Sequence, residues 1–152
     1  MVDCVRAANP QSCAVCFLFA FQNPEHERAV TDELRRSLPD IEVCASFEVQ
    51  PEFREFERFS TTVLNAYLQP VMAQYMTELD NGLKSLVPNA SFGLNQSSGG
   101  LMSVARAQRL PVRTALSGPA AGVVGAAHVA AAAQRPNAIT LDMGGTLSLI
   151  HI

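Results

Sequence analysis

The chain has 152 residues, 48% hydrophobic and 16% charged, with a formal net charge of −3. That suffices for one domain with a real core and is too apolar for intrinsic disorder. The small negative charge and the scattered Lys and Arg leave no electrostatic footprint for nucleic acid. Four cysteines, at 4, 13, 16 and 44, do not make the dense disulfide framework of a small secreted protein. Met1–Gln11 lacks the basic start and apolar core of a signal peptide. The longest weakly apolar run, Gly118–Ala133, is mostly Ala and Gly and falls short of the ~20 residues a membrane span needs. A soluble chain in a reducing, cytoplasmic setting is expected, with neither nucleic acid nor membrane as partner.

Residues 1–12 carry little pattern and read as a frayed or foreign end. Ala14–Phe21 is a continuous apolar run and predicts a strand buried on both faces. Cys13 and Cys16 form a C-x-x-C, but no second C-x-x-C or matching His pair follows, so buried structural thiols are expected. Asn23-Pro24 predicts a helix start, with Val30, Leu34 and Leu38 as its apolar stripe. Glu25 and Glu27 in the first turn and Arg35 and Arg36 in the last complement the helix dipole, and His26 reads as solvated. After Pro39-Asp40, Ile41–Val49 predicts a second strand, completing a β-α-β unit.

Phe53, Phe56 and Phe59 recur every third residue and predict one aromatic side of a short helix, with Glu52, Arg54, Glu55, Glu57 and Arg58 on the solvated side. Ser60 or Thr61 then caps a long helix over 60–86, with Leu64, Leu68, Val71, Tyr75, Leu79 and Leu83 as its apolar stripe and a kink at Pro70. Ser91–Gln96 predicts a short strand. Ser97-Ser98-Gly99-Gly100 after it is either an anion-binding concavity of backbone amides or a tight structural turn. A short helix over Ser103–Leu110, a strand over Val112–Leu116 and an alanine-rich helix opened by Ser117-Gly118-Pro119 follow. The start of that last helix offers free N–H groups to an anion.

The strand Ala138–Met143 ends in Asp142-Met143-Gly144-Gly145-Thr146. Glycines let a backbone approach phosphates, the threonine hydroxyl can donate to a phosphate oxygen, and the aspartate can hold a hydrated Mg²⁺. A plain hairpin turn with an Asp at its entry is the alternative.

Taken in order, C-F-L-F-A-F-Q-N-P-E-H-E, P-E-F-R-E-F-E-R-F-S-T-T-V-L-N-A-Y-L, Q-S-S-G-G-L-M-S, L-S-G-P-A-A-G-V-V-G-A and I-T-L-D-M-G-G-T resemble the hydantoinase A/oxoprolinase family over residues 13–146. The resemblance implies an α/β chain with a partial actin-like, ribonuclease H-like ATPase fold, truncated at both ends. Residues 13–116 would be the later part of a first lobe and 117–146 the start of a second, with 147–152 a non-family tail.

The implied activity is ATP- and Mg²⁺-dependent opening of a hydantoin or 5-oxoproline ring, with a hydantoinase B-type subunit or domain as partner. A ketone carboxylase subunit and a non-catalytic α/β binding module are the alternatives. The implied site comprises Glu57 and Arg58 as catalytic residues and Asp142 as the Mg²⁺ holder through water. Asp142, Gly144, Gly145, Thr146, Ser117 and Gly118 would bind phosphate, and Ser60, Asn65, Gln96, Ser97, Ser98, Gly99 and Gly100 would line the cleft. The chain departs from the family pattern in three places. A first phosphate loop is expected upstream of residue 1, Leu147–Ile152 replaces a hydroxyl- and acid-bearing continuation, and Ser98 stands where the family has Asn. A fragment without activity of its own is therefore expected.

Overall fold

In the computed structural model, which describes residues 1–135, 137–144 and 148–151, β1 (Ser12–Val15) and β2 (Glu42–Ala45) pair in parallel, Ser12 opposite Glu42 and Val15 opposite Ala45. Helix α2 (Glu25–Ser37) joins them, so the expected β-α-β unit is present. Val15, Leu34, Leu38 and Val43 form its core. Helix α1 (Val2–Ala8) docks on that core through Val2 and Val5, so the first residues are not a frayed end.

Both strands are shorter than their apolar runs. The run Ala14–Phe21 leaves the sheet after Val15, and Leu18–Gln22 make a turn with Phe19 at φ 58°. Phe17, Leu18 and Phe19 are exposed, against the expectation of a strand buried on both faces. Likewise Ile41–Val49 is a strand only to Ala45, after which Ser46–Val49 coils into α3. The reason is the same at both ends: the backbone N–H groups of Phe17 and Phe47 donate to the Glu27 carboxylate, at 2.6 and 2.9 Å. The start of α2 is shifted by one residue from the sequence reading. Asn23 Oδ1 accepts from the Glu25 N–H at 3.1 Å, and Pro24 is the flanking residue.

Helix α4 runs unbroken from Glu55 to Leu86, through Pro70, and starts five residues before the expected Ser60. The two faces of its first half are reversed. Arg58, Thr62, Asn65 and Gln69 are buried, whereas Leu64, Val71 and Tyr75, three members of the predicted apolar stripe, are exposed along with Phe56 and Tyr67. The buried positions recur at i, i+4, i+7 and i+11, one face of a helix, and continue to Met76. The same helix supports two further cores: Cys44, Val49 and Ala66, and beyond them Met76, Met102 and Ala107.

Strands β3 (Leu94–Asn95) and β4 (Leu101–Met102) form a small antiparallel hairpin. Helix α5 (Val104–Arg109) is capped by Ser103, whose Oγ accepts from the Arg106 N–H at 3.3 Å. The expected strand over Val112–Leu116 is instead a 3-10 turn, Pro111–Thr114. Asn65 Oδ1 takes the Val112 N–H at 3.3 Å and Thr114 Oγ1 donates to the Pro111 carbonyl, so that backbone has no edge to offer a sheet. Helix α6 (Ser117–Ala132) buries no residue, and β5 (Thr140–Met143) pairs antiparallel with β6 (Ser148–His151). Among the described residues no helix is long and apolar enough to cross a membrane.

All four cysteines are free thiols. Cys44 is buried, its Sγ lies 3.5 Å from the Thr62 carbonyl, and burial pushes its pKa up to about 11. Burial also raises the pKa values of half-buried Cys13 and Cys16. A thiol reagent near pH ~8 should therefore label exposed Cys4 first and Cys44 only on unfolding, since the thiolate is the reacting form. Mass-resolved labelling that modifies Cys44 as fast as Cys4 would contradict this burial.

Candidate functional site

In parallel sheets, ligand sites form outside the carboxyl ends of the strands, and here those ends converge on a buried polar node. The Glu27 carboxylate accepts from the N–H groups of Phe17 and Phe47 and from Ser46 Oγ at 2.9 Å. Ser46 Oγ in turn accepts from Arg58 Nε at 3.2 Å. Arg58 Nη1 donates to the Glu52 carbonyl at 2.8 Å and Nη2 to the Phe17 carbonyl at 3.0 Å. Its guanidinium lies over the rings of Phe21 and Phe59, at 5.3 and 5.2 Å, a favourable placement for a desolvated cation. Glu27, Ser46 and Arg58 have no exposed surface. Their charges balance through the serine, and the loops after β1 and β2 take their shape from this node.

The residues singled out in sequence divide among several places. Arg58 is in the node and faces no open cleft. Glu57, one position on, is exposed, with Arg54 at 3.6 Å. Ser60 is half-buried on α4. Asn65 is fully buried and clamps α4 to the end of α5, its Nδ2 donating to the Arg109 carbonyl at 3.0 Å and its Oδ1 accepting from Val112.

Gln96–Gly100 form the turn of the β3–β4 hairpin, with Gly99 and Gly100 at φ 85° and 77°, values that favour glycine. Three amides of this loop are used internally or on the neighbouring turn. Gln96 N–H donates to Gly100 O, Gly99 N–H to Gln96 O, and Ser97 N–H to Arg113 O. The hairpin turn also meets α6: Gln96, Gly99, Gly100, Ala121 and Val124 line a notch of about 150 Å³. Ser117 and Gly118, in the first turn of α6, are half-buried and exposed respectively.

Asp142 is exposed on β5, opposite Leu149, and no described residue bonds to its side chain. Gly144 follows, also exposed, while Gly145 and Thr146 lie outside the described residues. Among the described residues no three His, Cys, Asp or Glu side chains gather to hold a metal directly. A single accessible carboxylate fits a hydrated Mg²⁺, which keeps several waters and takes one or two carboxylates.

Sequence reasoning missed Glu27, Ser46, Gln69 and an ion-pair group on the far side of β2. There Arg35 Nη1 and Nη2 donate to Glu48 Oε1 and Oε2 at 3.1 and 2.7 Å, Arg35 also donates to the Val43 carbonyl, and Arg109 lies 3.4 Å from Glu48. One signal was available. Arg58, Thr62, Asn65 and Gln69 form a polar stripe at helical spacing that runs straight into Met72 and Met76.

Burial alone would raise the Glu48 pKa, but the Arg35 hydrogen bonds, with the charges of Arg35 and Arg109, outweigh it and hold the carboxyl below its ordinary value. A carboxylate whose pKa is depressed on folding contributes stability above its unfolded pKa and loses it as pH falls through the folded one. The urea midpoint should therefore drop as pH falls from the ordinary carboxylate range through the lowered Glu48 pKa, and Glu48→Gln should flatten that slope. An equal slope in the variant would remove Glu48 from the account.

The hydantoinase/oxoprolinase family model matches residues 58–150. The chain belongs to the hydantoinase/oxoprolinase family. Caprolactamase subunit alpha of Pseudomonas jessenii is 38% identical over 145 residues, 95% of this chain and 21% of that protein. The 5-oxoprolinase of Saccharomyces cerevisiae is 34% identical over 143 residues, 92% of this chain and 11% of that one. Among solved structures, the ATP-dependent caprolactamase from Pseudomonas jessenii superposes with a TM-score of 0.79 at 34% identity, over 95% of this chain and 21% of that chain. A nucleotide-free acetone carboxylase gives 0.76 at 30%, with the same coverage of both chains. The chain thus spans about a fifth of the length of the caprolactamase and acetone carboxylase chains it matches. Arg58 of the node, α4 from there onward, the Gln96–Gly100 hairpin, α6 and β5 all lie within the residues that the family model matches.

Proposed function

We propose that this chain is part of an ATP-dependent hydrolase that opens a cyclic amide of the hydantoin or 5-oxoproline type through a phosphorylated intermediate. The observation that carries the reading is the likeness to the ATP-dependent caprolactamase, 34% identical at a TM-score of 0.79 across 95% of this chain. An unactivated lactam hydrolyses slowly. Moving the γ-phosphoryl group of ATP to the ring carbonyl oxygen makes the carbon electrophilic, after which water breaks the C–N bond and phosphate leaves. Positioning and charge stabilisation are then most of what the protein supplies.

The scaffold in this reading is actin-like, with residues 13–116 in one lobe and 117–146 opening the next. Asp142 would hold hydrated Mg²⁺, and Gly144, Gly145 and Thr146 would offer amides and a hydroxyl to the phosphates. Ser117 and Gly118 at the start of α6 would face the same anion, and its field favours negative charge. The Gln96–Gly100 turn, packed on α6, would form the cleft wall together with Ser60. Glu57, exposed, is the carboxylate available to the chemistry. Arg58 and Asn65, buried and fully engaged, are positioning residues that act through the loops they hold. Relatives named as alpha and beta subunits support a hydantoinase B-type partner.

A carboxylase reading is the second, favoured by the acetone carboxylase likeness. One assay separates the readings. The whole enzyme of which this chain is a part is given Mg²⁺-ATP with 5-oxoproline, hydantoin, caprolactam, or acetone plus bicarbonate, and ADP is measured alongside the organic product. ADP release coupled to ring opening is expected. Turnover only with acetone and bicarbonate selects the carboxylase, and no substrate-dependent ADP with any of the four selects a non-catalytic module.

A further inference from the structure

A depression of about 480 Å³ between α2, β2 and α4 is lined by Arg35, Glu42, Glu48, Gln69 and Arg109, among others. A second, of about 380 Å³, adjoins it across Glu48 and Arg109 and adds Ser103 and Arg106. Each is within the size range of small-molecule sites. None of the residues assigned to phosphate, metal or cleft lines either one.

The charges along this double depression are sorted. Arg35 and Glu48 neutralise each other as a bidentate pair and form the ridge between the two halves. Arg109 lies where the two halves meet and lines both, and Arg106, one helical turn away on α5, lines the second. The Arg106 guanidinium has no partner among the described residues, and Arg109, with its side chain 66% exposed, has only the 3.4 Å contact to Glu48. The first half holds the opposite need. Glu42 is exposed there with no ion pair to a described residue, and Gln69, 4% exposed, has a buried side-chain carbonyl with no donor in reach. A buried acceptor without a donor is unfavourable, and native structures rarely retain one without a reason.

We propose that this double depression binds a zwitterionic amino acid, its carboxylate on Arg106 and Arg109 and its ammonium group toward Glu42 and the Gln69 carbonyl. The ridge separates the two charged ends, so an ω-amino acid with several methylenes fits better than a short α-amino acid. Hydrolysis of a lactam yields an amine and a carboxylate in one molecule, the same chemical class. The site is then where released product is sensed, away from the phosphate loop. Its link to product rests on the lactam reading above, whereas the binding itself does not.

The test is calorimetric titration of the protein, without ATP or lactam, with 6-aminohexanoate, glutamate, hexanoate and hexylamine. Saturable binding of 6-aminohexanoate is expected, about tenfold or more tighter than hexanoate or hexylamine, because each lacks one charged end. Glutamate, with its charges closer together, should bind more weakly. Arg109→Gln and Arg106→Gln, both at exposed side chains, should each weaken 6-aminohexanoate about tenfold, as should Gln69→Leu. Equal binding of hexanoate would reduce the site to a plain anion patch and overturn the proposal. So would an unchanged affinity in folded Gln69→Leu, or no saturable binding at all. Because no turnover is measured, failure here leaves the lactam assay standing, and failure of that assay leaves this binding standing.

Discussion

Arg58→Met should lower the stability of the fold by about 3–5 kcal/mol, the usual effect of removing one partner from a buried charged network. Arg58 has no exposed surface, and its guanidinium serves Ser46 Oγ and the carbonyls of Glu52 and Phe17. Methionine fills much of the volume but supplies no donor. It leaves the Glu27 carboxylate buried with its nearest buried counter-charge gone, the Glu52 carbonyl without its donor and the Phe17 carbonyl with only the Ala20 N–H at 3.4 Å. Glu27→Gln should be damaging for the complementary reason, since its amide group cannot accept at both positions where the N–H groups of Phe17 and Phe47 now donate. Removing both charges together should cost clearly less than the two single losses summed, because the second change relieves the charge stranded by the first. Urea unfolding of the three variants at neutral pH measures this. A loss under about 1 kcal/mol for Arg58→Met, or strict additivity in the double variant, would mean that the node is not charge-coupled.

The second large effect belongs to Asp142. In the ATP-dependent reaction proposed for the whole enzyme, Asp142→Asn should reduce kcat by about 10²–10³-fold, the scale seen when one preorganised group at a developing charge is lost. Asparagine keeps the shape and cannot offer a negative charge to hydrated Mg²⁺. The residue is exposed and bonds to no other described side chain, so the fold should be indifferent to the change. Two readings of the same variant keep the cases apart: ADP release over a Mg²⁺ titration, and the urea midpoint. A raised Mg²⁺ requirement with an unchanged midpoint is expected, and an unchanged kcat at limiting Mg²⁺ would remove Asp142 from the metal.

Much of the architecture was legible because it rests on local rules. The α2 helix with its Val30, Leu34 and Leu38 stripe, the parallel pairing around it and the Ser103-capped α5 follow from spacing and capping residues. The strand ends did not, because they depend on Glu27, a residue ten positions from one captured amide and twenty from the other. Read locally, a glutamate in the first turn of a helix complements the dipole. Only the assembled fold turns it inward.

The reversed faces of α4 have a similar cause. Phe56 looks like a core residue and Arg58 like a surface one until the carbonyls of Phe17 and Glu52 are brought to the guanidinium. For the site, the motifs marked the glycine turn and the acidic loop as segments. The Gln96–Gly100 turn spends three of its amides on backbone partners, which residue types cannot reveal.

Helix α6 buries none of its residues, whereas residues 17–58 are tied together by one node. The two regions therefore have different opening free energies. The node cannot open in part, since freeing any member strands a charge, so those loops and strands should exchange their amides as one cooperative unit. Residues 117–135 have little apolar burial to lose and can open without disturbing that unit. A heating experiment on this chain should then show a calorimetric enthalpy larger than the van't Hoff value, and a single melting temperature would describe the node rather than the molecule.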